Sequence, residues 1–281
     1  MRWVLVACLL FYSTVSSASE NFSRIVVLMP HLAESLFNFG ILEEIVGVPE
    51  FTTVPESQKK RIKFIGPYHR ISIESVLALR PTIVLASKDG NLLSNVDELT
   101  ALGINVKTFD PRTLGGVVAT LVSLREIADQ VRPKLKLQNE RKLLDFKKQL
   151  TKLRGSLPNA RVFVQIGFDP LVTVSDRSFL GEFIHHLGLE NIYAKELAAY
   201  PRPAIEDVVS RRPDIILIVN LTNSAQVGEK NRAVWAKFRS LPGVSNDRVI
   251  MLAGDRIVKP GFEMLQGAGD LVTQLKRNNG K

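Results

Sequence analysis

One stretch of this chain is written twice. Glu74-Ser-Val-Leu-Ala-Leu-Arg-Pro-Thr-Ile-Val-Leu-Ala86 aligns without gaps with Glu206-Asp-Val-Val-Ser-Arg-Arg-Pro-Asp-Ile-Ile-Leu-Ile218. Each copy predicts a short helix, a stop at Pro81 or Pro213, whose ring cannot continue the helix, and a buried strand rich in β-branched residues. A second pair opens each half: Arg24-Ile-Val-Val-Leu-Met-Pro30 and Arg161-Val-Phe-Val-Gln-Ile-Gly167 are apolar runs of strand length. A chain that repeats a helix–strand unit in this way is expected to build two matched α/β halves, not one continuous sheet.

Between the halves, the stretch from Pro133 to Arg154 has proline where a helix begins and Gly155 just past its end. That asymmetry marks one long helix. Leu143, Phe146, Leu150 and Leu153 alternate spacings of three and four, which places them in a single buried stripe. At about 1.5 Å per residue the helix is roughly 33 Å long, enough to reach from one half to the other. The stripe also suits a short coiled-coil dimer, but packing within a monomer is the expectation. The reading divides the chain into 1–18, a leader; 19–131, an N-terminal α/β lobe; 132–156, the connecting helix; and 157–281, a C-terminal α/β lobe.

The leader is read from Met1-Arg2, the apolar run Trp3 to Tyr12, and the small polar residues Ser13 to Ser19. This is the layout of a secretory signal peptide. The run is about half of the ~20 residues a membrane-spanning helix needs. Ser16 and Ala18 fit cleavage after Ala18. Leu5-Val6-Ala7-Cys8 also matches the pattern before a lipidated cysteine, yet too few residues precede Cys8 for an export signal. Cys8 is the only cysteine, so cleavage leaves a mature chain without disulfide or thiolate chemistry. Formal net charge is +9, which by itself admits nucleic acid, a membrane surface or an anionic ligand. Export to the periplasm argues against nucleic acid.

Catalytic signatures are lacking: there is no Gly-x-Ser-x-Gly, no phosphate-binding Gly-x-x-x-x-Gly-Lys, no Gly-x-Gly-x-x-Gly and no His-Glu-x-x-His. Of the 4 histidines, His185 and His186 fall in an amphipathic helix and read as packing or surface residues. No structural zinc site and no resident cofactor are expected. An exported two-lobed α/β chain of this kind is expected to bind a ligand between its lobes, not to be an enzyme.

The residues that carry a family likeness are Leu28-Met-Pro-His-Leu-Ala-Glu-Ser-Leu-Phe-Asn-Phe-Gly40, Ile45-Val-Gly-Val48, Ile65-Gly-Pro-Tyr68 and Glu74 to Ala86 in the first half. In the second they are Asp169-Pro-Leu-Val-Thr-Val174, Gly188-Leu-Glu-Asn-Ile192, Tyr200-Pro and Glu206 to Ile218. In order and spacing the chain resembles the periplasmic cobalamin- and ferric-siderophore-binding proteins of ABC importers. The resemblance implies two Rossmann-like lobes joined by one long α-helix, a ligand cleft between the lobes, and delivery to a permease dimer with its ATPase. It also implies that Glu74 and Glu206, one per lobe, dock against permease arginines. The alternative is that each carboxylate only favours the start of its helix, by about 0.3–1 kcal/mol.

In such folds ligands lie outside the carboxyl ends of the strands. That places Pro30, His31, Tyr68, His69, Lys88, Asp89 and Asn91 on the N-lobe rim, with Phe51 as a further aromatic face. Phe168, Asp169, Arg202, Asn220, Asn223, Asp255, Arg256 and Lys259 fall on the facing rim. The cobalamin-binding members of the resembled family line the cleft with tryptophans; here Lys88 and Arg202 fall near two of those places. The mature chain keeps only Trp235, expected to pack in a surface helix. Tyr68, Phe51 and Phe168 would offer aromatic faces to a corrinoid, whereas Lys88, Arg202, Arg256 and Lys259 would suit an anionic ferric siderophore. Two other readings stay open: haem or a metal ion held by His31, His69 or Tyr68, and an exported hydrolase using Asp169 and Asp255.

Overall fold

The computed structural model describes residues 22–220 and 225–279. The expected leader, Cys8 and Asn223 lie outside the described residues. The first lobe runs β1 (Ile25–Val27), α1 (Pro30–Asn38), β2 (Ile45–Val48), β3 (Lys63–Phe64), α2 (Ile73–Ala78), β4 (Ile83–Ser87), α3 (Leu93–Ala101) and β5 (Val106–Phe109). Its strands pair in parallel in the order β3-β2-β1-β4-β5. Every residue of β1 and β4 is buried, which is why these runs are apolar without alternation: a parallel sheet is covered on both faces.

Two helices follow, α4 (Leu114–Val131) and α5 (Lys136–Leu153). The second lobe comprises β6 (Arg161–Gln165), the hairpin β7 (Gly167–Phe168) and β8 (Leu171–Val172), then α6 (Phe179–His186), β9 (Glu190–Asn191) and α7 (Ile205–Ser210). It continues through β10 (Ile215–Asn220), α8 (Ala225–Trp235), α9 (Pro242–Ser245), β11 (Val249–Ala253) and α10 (Glu263–Asn279). A four-stranded parallel sheet orders these strands β11-β10-β6-β9. The chain is thus α/β with two separate parallel sheets, and the duplicated sequence is a duplicated structure. Helix α2 leads into β4 as α7 leads into β10. Arg80 and Arg212, each just before its proline, take the same left-handed turn at φ 46° and 48°, a conformation uncommon for a residue with a side chain.

The connection differs from a lone helix. Pro133–Leu135 form a 3-10 turn, and only then does α5 begin. Helix α4 lies alongside it, capped by Thr113, whose hydroxyl accepts from Gly116 N–H. Arg132, at the end of α4, pairs with Glu43 and Glu44 of the first lobe at 2.7 and 2.9 Å. Near its other end, Leu114 N–H donates to Glu182 of α6 at 2.7 Å. Helix α5 reaches both lobes too: Lys142 donates to Asn38 O, and His186 contacts Leu150 O at 2.7 Å. Leu143, Phe146 and Leu150 are buried, with Phe146 edge-on to Phe262. The stripe is therefore filled largely from within the chain.

Candidate functional site: the cleft between the lobes

In the first sheet the direction of strand order reverses between β1 and β4, and in open α/β sheets ligands bind beyond the carboxyl ends of the strands at such a point. Asn91 stands at these strand ends. Its side-chain amide donates to Leu28 O and Tyr68 O at 3.0 and 3.1 Å, and its carbonyl oxygen accepts from Ser87 N–H at 2.9 Å. One side chain thus ties the ends of β1 and β4 to the loop bearing Tyr68 and His69, whose rings meet edge-to-face at 5.4 Å. Asn91 is a positioning residue, with its polar atoms already satisfied by the protein.

Phe51 stands at the tip of the turn after β2. It is 70% exposed and sits at φ 65°, a left-handed conformation that costs about 1–3 kcal/mol for such a side chain. The turn is held on both sides of the ring: Thr52 Oγ1 donates to Pro49 O at 2.7 Å, and Thr53 N–H donates to Glu34 Oε1 at 2.9 Å. A large apolar ring kept in solvent by a strained, anchored turn is placed for contact with something other than this chain's own core. On the second lobe Phe168 is 38% exposed on the hairpin after β6, and Tyr200 is 42% exposed. Asp169 lies exposed beside Phe168, and Arg202 is exposed two residues beyond Tyr200.

The rim cations differ from expectation. Lys259 is buried and belongs to an inter-lobe ion pair: its Nζ is 2.8 Å from Glu34 Oε1 on α1 and 3.0 Å from Asp255 Oδ2. Burial alone would lower its pKa, but the two carboxylates outweigh burial and hold it above the usual lysine value. Burial raises the Glu34 carboxyl, against the pull of Lys259 and Thr53. Pro30 and His31 are buried as well. Burial first and Lys259 second lower the His31 imidazole to about 3, so it stays neutral at physiological pH. His31 and Lys259 line a small pocket with Ser35 and Gly261, where a Cβ on Gly261 would approach Ser35 Oγ to 2.9 Å. The lobes touch closely here because position 261 has no side chain.

The expected site therefore divides in two. His31, Asp255 and Lys259 form a lobe-to-lobe contact, which sequence reasoning took for open rim because it cannot see that Lys259 meets Glu34. Tyr68, His69, Phe51, Phe168, Asp169, Lys88, Arg202 and Arg256 remain at least partly open to solvent. Among these, Lys88 lies 3.7 Å from Asp110, and Arg256 lies 3.9 Å from Glu263 and 3.8 Å from Asp270. Arg112, which the sequence did not single out, grips Asp110 with two hydrogen bonds of 2.7 and 2.6 Å and holds that carboxyl below its usual range. Arg202 makes no ion pair among the described residues. Also among the described residues, no group of three or more His, Cys, Asp or Glu is placed to hold a metal ion. Trp235 is fully buried and donates to Gln165 Oε1 at 2.7 Å; it is a core residue of the second lobe.

Glu74 and Glu206 are both exposed, each in the first turn of its repeated helix. Helix α2 is capped by Ser72, which accepts from Ser75 N–H at 3.1 Å, while α7 has no side-chain cap.

Two parallel-sheet lobes joined by helices, with exposed aromatic side chains on both, give the two-lobe architecture of a periplasmic binding protein. The chain belongs to the periplasmic binding protein family, which matches residues 25–255. The vitamin B12-binding protein of Pectobacterium carotovorum is 31% identical over 258 residues, covering 90% of this chain and 88% of that protein. That of Vibrio parahaemolyticus is 25% identical over 255 residues, covering 89% and 88%. Among solved structures, the periplasmic vitamin B12 binding protein BtuF of Vibrio cholerae superposes with a TM-score of 0.79 at 23% identity, over 92% of this chain and 98% of that one. The periplasmic heme-binding protein RhuT from Roseiflexus sp. RS-1 gives 0.75 at 20%, over 92% and 99%. These relatives are binding proteins, and the family is periplasmic.

Proposed function

We propose that this protein is the solute-binding component of an ABC importer, exported by its leader, and that it captures a corrinoid between its lobes for delivery to a permease dimer with its ATPase. The observation that carries the choice of ligand is the state of the rim. Lys259 is consumed by Glu34 and Asp255, and Lys88 and Arg256 each lie near carboxylates. Phe51, Phe168, Tyr68 and Tyr200 keep aromatic surface open. A rim on which, of the four expected cations, only Arg202 lacks a carboxylate partner among the described residues, and whose rings are free, suits a flat, largely uncharged macrocycle better than a polyanionic ferric siderophore. The names of the vitamin B12-binding relatives support the same reading. Glu74 and Glu206, exposed at equivalent places on the two lobes, are the docking points for the permease; two separated charges fix orientation more than affinity.

Haem is the second reading, favoured by the Tyr68–His69 pair on the N-lobe rim. Visible spectra of purified protein titrated with cyanocobalamin, haemin and ferric siderophores separate the cases. Saturable cyanocobalamin binding that changes little between low and high salt is the expected result. A Soret shift with haemin and no response to cyanocobalamin would transfer the assignment to haem.

A further inference from the structure

Tyr200 reaches across the cleft from the segment between β9 and α7. Its hydroxyl donates to Asp89 Oδ1 at 3.0 Å and lies 3.3 Å from Oδ2. Asp89 follows β4, at the carboxyl edge of the first sheet, and its loop is well fixed. Asp89 N–H donates to Ser87 Oγ at 3.1 Å, and Asn91 ties down the other side. Gly90 takes φ +103°, and a Cβ there would meet Met29 Cε at 2.8 Å and Tyr68 Cδ2 at 3.5 Å. Glycine at position 90 suits the left-handed turn and the close approach of Met29.

The neighbouring charges are already allotted. Arg112 is bound to Asp110 by both ends of its fork, and Lys88 leans toward the same carboxylate. Burial raises the Asp89 carboxyl and the nearby Asp110 adds to that, while the Tyr200 hydroxyl and the field of Arg112 pull the other way. With the Tyr200 hydroxyl donating to it and its loop held by Ser87 and Asn91, Asp89 is a fixed hydrogen-bond acceptor, and Tyr200 is its one direct side-chain partner among the described residues.

We propose that Asp89, held in place by Tyr200 of the opposite lobe, is the charge filter of the cleft: it accepts hydrogen bonds from a ligand fringed with amide N–H groups and repels one fringed with carboxylates. Ionised carboxylates accept hydrogen bonds and cannot donate them, and a like charge brought beside one in a partly desolvated cleft is opposed far more strongly than in water. A corrinoid carries amides around its ring; haem carries two propionates. The proposal rests on the reading of the cleft as a chelate site and names the group that discriminates there. Tyr200 acts as a positioning residue.

The test compares cyanocobalamin with haemin by calorimetry on the full mature chain. Asp89→Asn keeps the shape and removes the charge. It should raise the affinity for haemin relative to cyanocobalamin by about tenfold or more. Asp89→Ser should shift the ratio in the same direction, which keeps the test valid if the asparagine disturbs folding. Tyr200→Phe leaves the charge in place and should not shift the ratio toward haemin, a distinction that a merely structural role for the pair would not produce. A ratio unmoved by both Asp89 variants, with cyanocobalamin still bound, overturns the filter alone. Binding of neither probe by the wild type overturns the corrinoid reading and the filter together.

Discussion

Replacing Lys259 by methionine removes the charge that the two lobes share while keeping much of the side chain's volume. The Lys259 and Glu34 side chains are 11% and 7% exposed, so the carboxylate left behind has little access to water and keeps only Thr53 as partner among the described residues. Removing one member of a buried ion pair costs about 3–5 kcal/mol. Asp255 is 34% exposed and regains hydration, which puts the expected loss near the lower end, about 3 kcal/mol. For a chain of this size that is a fall in melting temperature of roughly 6–12 °C, by scanning calorimetry or urea denaturation. Glu34 also anchors the Phe51 turn, so ligand affinity should weaken together with stability. The double variant Glu34→Leu/Lys259→Met removes both charges, and apolar replacement of a buried pair is often close to neutral. It should recover most of the stability. The reasoning fails if Lys259→Met costs less than about 1 kcal/mol, or if the double variant is as unstable as the single one.

Acid should destabilise the fold through His31, which is neutral in the folded state down to about pH 3, whereas its ordinary value is 6.5. Between those values the unfolded chain binds a proton that the folded chain refuses, so stability falls with pH, by about 2 kcal/mol at pH 5. Glu34 and Asp89 have raised folded values and act in the opposite sense, gaining stability as pH falls through those values; His31→Gln should therefore flatten or invert the acid limb, and an unchanged limb counts against the buried neutral imidazole. Trp235→Phe should cost about 1–3 kcal/mol, because Gln165 loses its buried donor, yet leave ligand affinity unchanged in calorimetry; a loss of binding would move Trp235 from the core into the site. Glu74→Ala/Glu206→Ala should stop uptake in cells while the purified protein binds ligand as before, and impaired ligand binding in a folded double variant would defeat the docking role.

The helix–proline–strand repeat determined the architecture. Its prolines stop the helices, its apolar runs lack the alternation of a half-exposed sheet, and α2–β4 and α7–β10 follow from those local rules. The Leu143–Phe146–Leu150 stripe was legible for the same reason: helical periodicity is local chemistry. The exposed places of Glu74 and Glu206 came from the same repeat. Tertiary structure alone decided which charges are free. Lys259 and Glu34 are 225 residues apart in the chain, and nothing local to either shows that α1 and the turn before α10 meet, closely enough to require Gly261. The bond from Tyr200 to Asp89 is equally non-local. Strand and helix periods are set by neighbours along the chain, whereas ion pairing and burial are set by whatever the other lobe brings within 3 Å, so the cationic rim expected from composition became, once folded, largely a set of matched charges around open aromatic rings.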